Sequence, residues 1–214
     1  MRVVITGANR GIGHELMKVM QASGADVVGT ARDVEGYLQL DVTDPNSVRT
    51  FATRIGPDPV DALVCNAGVY FDKHESLENG YPADMWADTF AVNVTGVFLT
   101  VQALLPNLRK SSAGKIAIIS STMASQERAP GGSYIYRASK AAALNLGRNL
   151  AKDLAKDTIS VGIYHPGWVI TDMGGSDADI EVDEAALGLR DRINDLSMAK
   201  TGCFENWDGS PHVF

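Results

Sequence analysis

The sequence predicts an α/β fold: a single-domain doubly wound parallel sheet with helices on both faces. Three observations carry that prediction. Short β-branched or aliphatic runs alternate with longer amphipathic stretches along the chain. A glycine-rich turn, Thr6-Gly7-Ala8-Asn9-Arg10-Gly11-Ile12-Gly13, closes the first run and opens the first amphipathic stretch. The length of 214 residues, with 45% hydrophobic and 21% charged residues, fits one globular domain.

The elements follow in order. Met1 to Ile5 runs straight into the glycine-rich turn, so Arg2–Thr6 reads as a first strand and not as a signal peptide. A helix is expected over Ile12–Ser23, then strands at Asp26–Thr30 and Tyr37–Leu40. A crossover helix needs at least about a dozen residues. The segment from Ala31 to the second of these strands is shorter, so its helix is missing or reduced to a turn. Helix Ser47–Ile55 leads to strand Ala62–Val64, and the long helix Ala83–Leu108 leads to Lys115–Ser120. A second long helix, Tyr134–Asp157, precedes strand Ser160–Tyr164. After Met173 the chain is rich in Gly and Asp through Asp183 and reads as a mobile lid. Helix Glu184–Ser197 and a short strand near Thr201–Glu205 finish the chain, so residues 174–197 form a short loop and helix beside the cleft of one domain, 1–214. Right-handed crossovers put the ligand crevice beyond the carboxyl ends of the strands.

Composition excludes several function classes. Asp plus Glu is 26 against 19 Lys plus Arg, a net charge of −7 without any basic run. Nucleic-acid and anionic-membrane partners are therefore not expected. No run reads as the ~20 apolar residues of a bilayer span. Cys65 and Cys203 lack CxxC spacing, and His14, His74, His165 and His212 lack metal-ligand spacing, so no disulfide or metal is expected and the cytoplasm is the expected compartment.

Five places carry chemistry. The glycines of the first turn let the backbone approach a pyrophosphate at the N-terminus of a helix; the alternative is a plain strand-to-helix turn. Tyr136 and Lys140 lie four apart on one helix face, where an ammonium favours a phenolate and makes an acid/base usable near neutrality. The alternative is a solvated surface pair. Ser120 and Ser121 end an apolar strand, either to bond a substrate oxygen or to cap a turn. Cys65-Asn66-Ala67-Gly68 is a further strand end, and Asn93 sits inside an apolar helix, where its amide needs partners. A structural hydrogen bond would also explain that asparagine.

TGxxxGIG, NAG, the Asn of NVTG, ISS, YxxxK and Pro166-Gly167 occur in this order across Met1–Thr171. Together they resemble the short-chain dehydrogenase/reductase family, with Tyr136–Asn145, His165–Val169 and Thr171–Gly175 most similar to its C-factor and sniffer-type carbonyl reductases. The resemblance implies a Rossmann-like fold and hydride transfer between a nicotinamide cofactor and a small carbonyl or alcohol. It implies Tyr136 as general acid/base, Lys140 as its pKa-lowering partner on the nicotinamide ribose, and Ser121 as hydrogen-bond donor to the carbonyl. Asn93 would hold a water linking Lys140 to solvent. Gly7, Asn9, Arg10, Gly11, Ile12 and Gly13 would cradle the phosphates, and Asn66, Ala67 and Gly68 would line the adenosine side. Asp41 and Val42 would meet the adenine, and Gly167, Val169 and Thr171 the nicotinamide end.

Three departures from the family pattern stand out. The gap between Ser121 and Tyr136 is two residues longer than in many members, which leaves Ser120 as a substitute. The segment before Asp41 lacks the helix that flanks an adenine pocket, and the region after Met173 is short, which predicts an open cleft. Ala31 stands where the family's NAD-selecting acid would be, followed by Arg32, and Arg10 can reach the same 2′-phosphate; NADP(H) is expected over NAD(H). Asp33, read as a ribose acceptor, would reverse that preference. A homodimer or homotetramer through the two long helices is implied, with Trp168, Tyr134 and Met173 bordering the cleft. The competing function is an NADP(H)-binding regulatory or signalling protein with little turnover.

Overall fold

Val3, Val4 and Ile5 of the first strand and Leu63 and Val64 of the fourth are fully buried. Strands apolar on both faces need helices on both sides of the sheet. In a computed structural model describing residues 1–214, the strands are β1 (Arg2–Ile5), β2 (Asp26–Ala31), β3 (Leu38–Gln39), β4 (Ala62–Cys65), β5 (Lys115–Ile119), β6 (Ser160–His165) and β7 (Phe204–Asn206). All pairs are parallel, in the spatial order β3-β2-β1-β4-β5-β6-β7. The winding reverses between β1 and β4, the switch point at which ligands bind in such sheets.

The helices are α1 (Gly11–Ala22), α2 (Pro45–Ile55), α3 (Ala83–Phe90), α4 (Gly96–Leu108), α5 (Tyr134–Leu154) and α6 (Val182–Asp195). One core cluster joins Phe51 of α2, Leu104 and Leu108 of α4 and Leu144 of α5 to the sheet. The opposite cluster joins Leu16 and Met20 of α1 to Leu189 and Ile193 of α6. Between β2 and β3 there is only a turn, as the short segment predicts.

Four boundaries differ from the sequence expectation. The single helix expected over Ala83–Leu108 is continuous but carries a π-helical turn at Ala91–Thr95, centred on Asn93. Helix α2 starts two residues early because Asp44 caps it, accepting from the N–H groups of Asn46 and Ser47 ahead of Pro45 in the first turn. Helix α6 is shifted toward the N-terminus, and β7, Phe204–Asn206, overlaps the C-terminal end of the expected strand and runs one residue past it. The stretch Ala83–Leu108 has a window of mean hydropathy 1.5 and is long and apolar enough to cross a bilayer, which corrects the reading that no such run exists. Here it packs on the sheet, with Val97, Val101, Leu104 and Leu108 in the core.

Candidate active site

The glycine-rich turn is held by the strand end next to it. Thr6 Oγ1 accepts from the N–H groups of Asn66 and Ala67, both at 3.0 Å. The Asn66 amide donates to the carbonyls of Thr6 and Gly7, at 2.9 and 3.0 Å. Gly7 has φ +64, which an L side chain rarely adopts. A Cβ on Gly13 would land on Asn66 Nδ2 and the Gly7 carbonyl, so the turn closes only around a bare backbone. Asn66 is thus mainly the brace of the turn.

Tyr136 and Lys140 emerge from the first turns of α5, both buried. Two tyrosine rings stack there: Tyr70 lies on Tyr136 with centroids 4.2 Å apart, and its hydroxyl meets Ser133 Oγ at 2.5 Å. Ser133, at φ +47, gives α5 no side-chain cap. That cap comes instead from Asp72, 1% exposed, whose Oδ2 accepts from Ile135 N at 2.8 Å and whose Oδ1 accepts from Tyr136 N at 3.2 Å. Tyr70 and Asp72 escape the sequence analysis because their partners are more than sixty residues away.

Asn93 is buried at the π turn, the kind of local irregularity that often marks a functional site. Its Oδ1 accepts from Val69 N at 2.9 Å, and its Nδ2 donates to the Val69 carbonyl at 2.9 Å and Ser139 Oγ at 3.0 Å. Lys140 Nζ donates to the Ile119 carbonyl at 3.0 Å and sits 5.6 Å from the Tyr136 ring centroid. The hydroxyls of the ISS strand end diverge. Ser120 Oγ turns back toward the Lys140 carbonyl, whereas Ser121, the N-cap of a short 3₁₀ turn (Thr122–Ala124), interacts with the Tyr136 phenol.

Burial sets the protonation states. The Tyr136 phenol is raised above its ordinary value chiefly by burial; Ser121 opposes the shift, and Tyr70 and Asp72 add to it. Burial lowers Lys140 from 10.5 to about 8. The depressed phenol expected from the lysine is therefore corrected. Within the folded chain desolvation is the largest influence on the phenol, and the same burial draws Lys140 toward neutrality.

Two clefts meet at Tyr136. The first, of about 560 Å³, runs past the glycine-rich turn and takes in Gly7, Asn9, Arg10, Gly11, Ile12 and Gly13. Arg32, Asp33, Asp41 and Val42 line its far end, and Asn66, Ala67, Gly68, Lys140 and Thr171 line the rest. Arg10 pairs with Asp172 across the mouth at 3.2 Å, and Arg32 forms no ion pair. The Asp41 carboxylate accepts from Thr43 N and Oγ1, at 2.9 and 2.7 Å. The second cleft, of about 680 Å³, holds Ser121, Tyr70, Gly167, Val169, Trp168 and Met173. Gly167 and Val169 therefore border the second cleft and not the first, while Thr171 borders both. Tyr134, expected at the cleft, instead packs edge-on against Tyr81 at 5.1 Å. Asn93 lines neither cleft and stands behind Gly68.

A switch-point cleft floored by a bare glycine turn, joined at a buried Tyr-Lys pair to a second cleft, defines a nucleotide-dependent oxidoreductase of the Rossmann type. The sequence profile described as short chain dehydrogenase matches residues 1–181. The chain belongs to the short-chain dehydrogenase family. It is 37% identical over 164 residues to the C-signal protein of Myxococcus xanthus, covering 76% of this chain and 98% of that one. The NADPH-bound carbonyl reductase from chicken fatty liver superimposes with a TM-score of 0.93 at 30% identity, covering 100% of this chain and 98% of its own. Carbonyl reductase Sniffer of D. melanogaster superimposes with a TM-score of 0.93 at 26% identity, covering 100% and 99%. These likenesses agree with the C-factor and sniffer-type appearance of the sequence.

Proposed function

We propose that this protein reduces small carbonyl compounds with NADPH, Tyr136 acting as the general acid toward the substrate oxygen. The observation that carries the reading is the position of Tyr136, which borders the nucleotide cleft and the second cleft alike. The residues fit the cofactor: the glycine-rich turn lines the cleft and closes only with a bare backbone at Gly13, and Arg32 borders the cleft with Ala31 where the family's NAD-selecting acid would stand. The glycine-rich turn would hold the diphosphate, and Arg10 and Arg32 the 2′-phosphate, in keeping with the NADPH named for the chicken reductase. When bound, the nicotinamide supplies the hydride.

The remaining work falls to side chains of this chain. The Ser121 hydroxyl polarises the carbonyl, and the phenol, protonated across the physiological range, delivers the proton as charge develops on oxygen. Lys140, at about 8, exchanges protons near neutrality and restores the phenol. Asn93 keeps the loop that carries Gly68 and Val69 against this pair, with acceptor capacity left for a water on the Lys140 side. Self-association would use α4 and α5, where Ala138, Ala141 and Ala142 are half-buried while Ala143 belongs to the core.

The second reading is an NADP(H)-binding signalling protein. It is favoured by the likeness to C-signal and by the open end of the nucleotide cleft, which lacks a helix between β2 and β3. Loss of reduced-nicotinamide absorbance with a panel of aldehydes, ketones and quinones separates the two. Tyr136→Phe is expected to cut kcat at least about a hundredfold, the general scale of acid catalysis, while sparing cofactor binding. A variant that keeps its rate overturns the assignment of the proton donor.

A further inference from the structure

The cleft beyond Tyr136 has an electrostatic character opposite to the chain as a whole. The protein carries a net charge of −7, yet the charged groups facing this cleft are Lys73, Arg128 and a single acid, Asp179. Neither cation forms an ion pair. Both are nevertheless held in place. Arg128 Nη1 donates to Thr122 Oγ1 at 3.1 Å, one residue past Ser121, and its carbonyl accepts from Arg137 of α5 at 3.2 Å. Lys73 Nζ reaches across to the carbonyls of Met173 and Gly174, at 3.3 and 3.4 Å, where a neutral acceptor leaves its charge uncompensated.

A histidine stands beside the guanidinium. His165 borders the cleft with its Nδ1 buried and without a hydrogen-bond partner, and burial, His212 and Arg128 together keep the ring neutral by lowering it to about 4. A neutral ring that can donate, beside a guanidinium, suits an acceptor oxygen. Trp168 and Met173 add apolar surface to the same cleft. Both cations stay solvent-exposed at the rim, and a neutral carbonyl compound would leave them without a counter-charge there.

We propose that the substrate is a carbonyl compound bearing a carboxylate, such as an oxo acid or an acidic aldehyde, with Arg128 and Lys73 as the residues that select for the anion. This rests on the reductase reading above and adds the substrate class. A guanidinium fork matches the two oxygens of a carboxylate. Its tether to Thr122 places that recognition beside Ser121, so binding of the acid end orients the carbonyl end toward Tyr136.

The test compares the positional isomers of carboxybenzaldehyde with their methyl esters, using NADPH and the intact chain. At least one acid isomer is expected to exceed its ester in kcat/KM by about tenfold, the equivalent of about 1.4 kcal/mol, and the advantage should shrink as salt rises. Arg128→Gln and Lys73→Gln should each reduce the acid-to-ester ratio by about tenfold, and Arg128→Lys should restore part of it. Esters turned over as well as the acids, or ratios untouched by both variants, overturn the inference while leaving the reductase reading standing. If no aldehyde is turned over, that reading fails, and calorimetric titration of the carboxybenzyl alcohols into the protein with NADPH still decides. Binding that Arg128→Gln weakens supports anion recognition, and absence of binding ends it.

Discussion

Replacing Asp72 by Asn removes one charge and little volume at the start of the helix that carries Tyr136. The carboxylate, almost fully buried, caps α5 from outside it by accepting the N–H groups of Ile135 and Tyr136 at 2.8 and 3.2 Å. An amide still accepts one of these bonds but turns its own NH₂ toward the other donor. Loss of a charge-assisted hydrogen bond costs about 1.5–3 kcal/mol, and loss of the charge at a helix N-terminus about 0.3–1 kcal/mol. A destabilisation of about 2–3 kcal/mol lowers Tm by about 4–12 °C for a chain of this size. The second consequence distinguishes chemistry from scaffolding. The Asp72 charge helps hold the phenol's pKa up, so the variant's phenol ionises at lower pH. Carbonyl reduction needs the protonated phenol, and its alkaline limb therefore moves to lower pH in Asp72→Asn. Thermal unfolding and pH–rate profiles of kcat check the pair of effects. An unchanged Tm, or a limb that stays in place or moves to higher pH, refutes the placement of Asp72 as cap and electrostatic neighbour.

Two further predictions concern the same site. Lys140 is protonated below about 8 in the folded chain but below its ordinary 10.5 when unfolded, so from about 8 upward the unfolded chain binds more protons and this residue adds stability as pH rises. Lys140→Met removes that rise and is more stable than the parent at neutral pH by up to about 3 kcal/mol; urea midpoints across this range, compared between the two proteins, isolate it from Cys65 and Tyr136, which titrate in the opposite sense in both. Gly13→Ala forces a methyl onto the Gly7 carbonyl and the Asn66 amide, and reduced-nicotinamide fluorescence should report at least about a tenfold loss in cofactor affinity; an unchanged Kd would mean that the turn does not close around the diphosphate.

Much of the fold was legible because its signals are local. Apolar runs give the strands, and the short segment after Ala31 correctly predicts a missing helix, since chain length alone forbids it. The α2 start is equally legible in Asp44-Pro45, a cap followed by proline in the first turn, a signal that apolar periodicity alone does not carry. The π turn was not legible. A single Asn in an apolar helix announces a need for partners, but the register slip that supplies them depends on Val69 and Ser139, which are far off in sequence. The roles of Ser120 and Ser121 could not be separated by counting residues. Strand register decides them: Ser120 still follows β5, its N–H bonded to Tyr164, so its side chain faces α5, and the next residue turns to the cleft. The protonation of Tyr136 failed for a different reason. The i,i+4 spacing fixes which charges are near, whereas burial, which no spacing encodes, fixes which effect wins.

The residues from Asn66 to Lys73 explain why so much of the site is missed when each motif is read alone. Asn66 braces the glycine-rich turn, Val69 receives both ends of the Asn93 amide, and Tyr70 stacks on the Tyr136 ring. Asp72 caps the helix that bears that ring, and Lys73 reaches the segment after Met173. One loop at the carboxyl end of β4 thus ties together the glycine-rich turn, the π turn, helix α5 and the far wall of the second cleft. It lies beside the switch point, where the chain's two half-sheets meet and no single βα unit could supply all these contacts. Groups held by one short segment move as one, so a disturbance at any of these contacts spreads to the others, and substitutions among them will not add independently. The NAG tripeptide is therefore more than the edge of an adenosine pocket: it opens the segment that keeps Tyr136 at the meeting point of the two clefts.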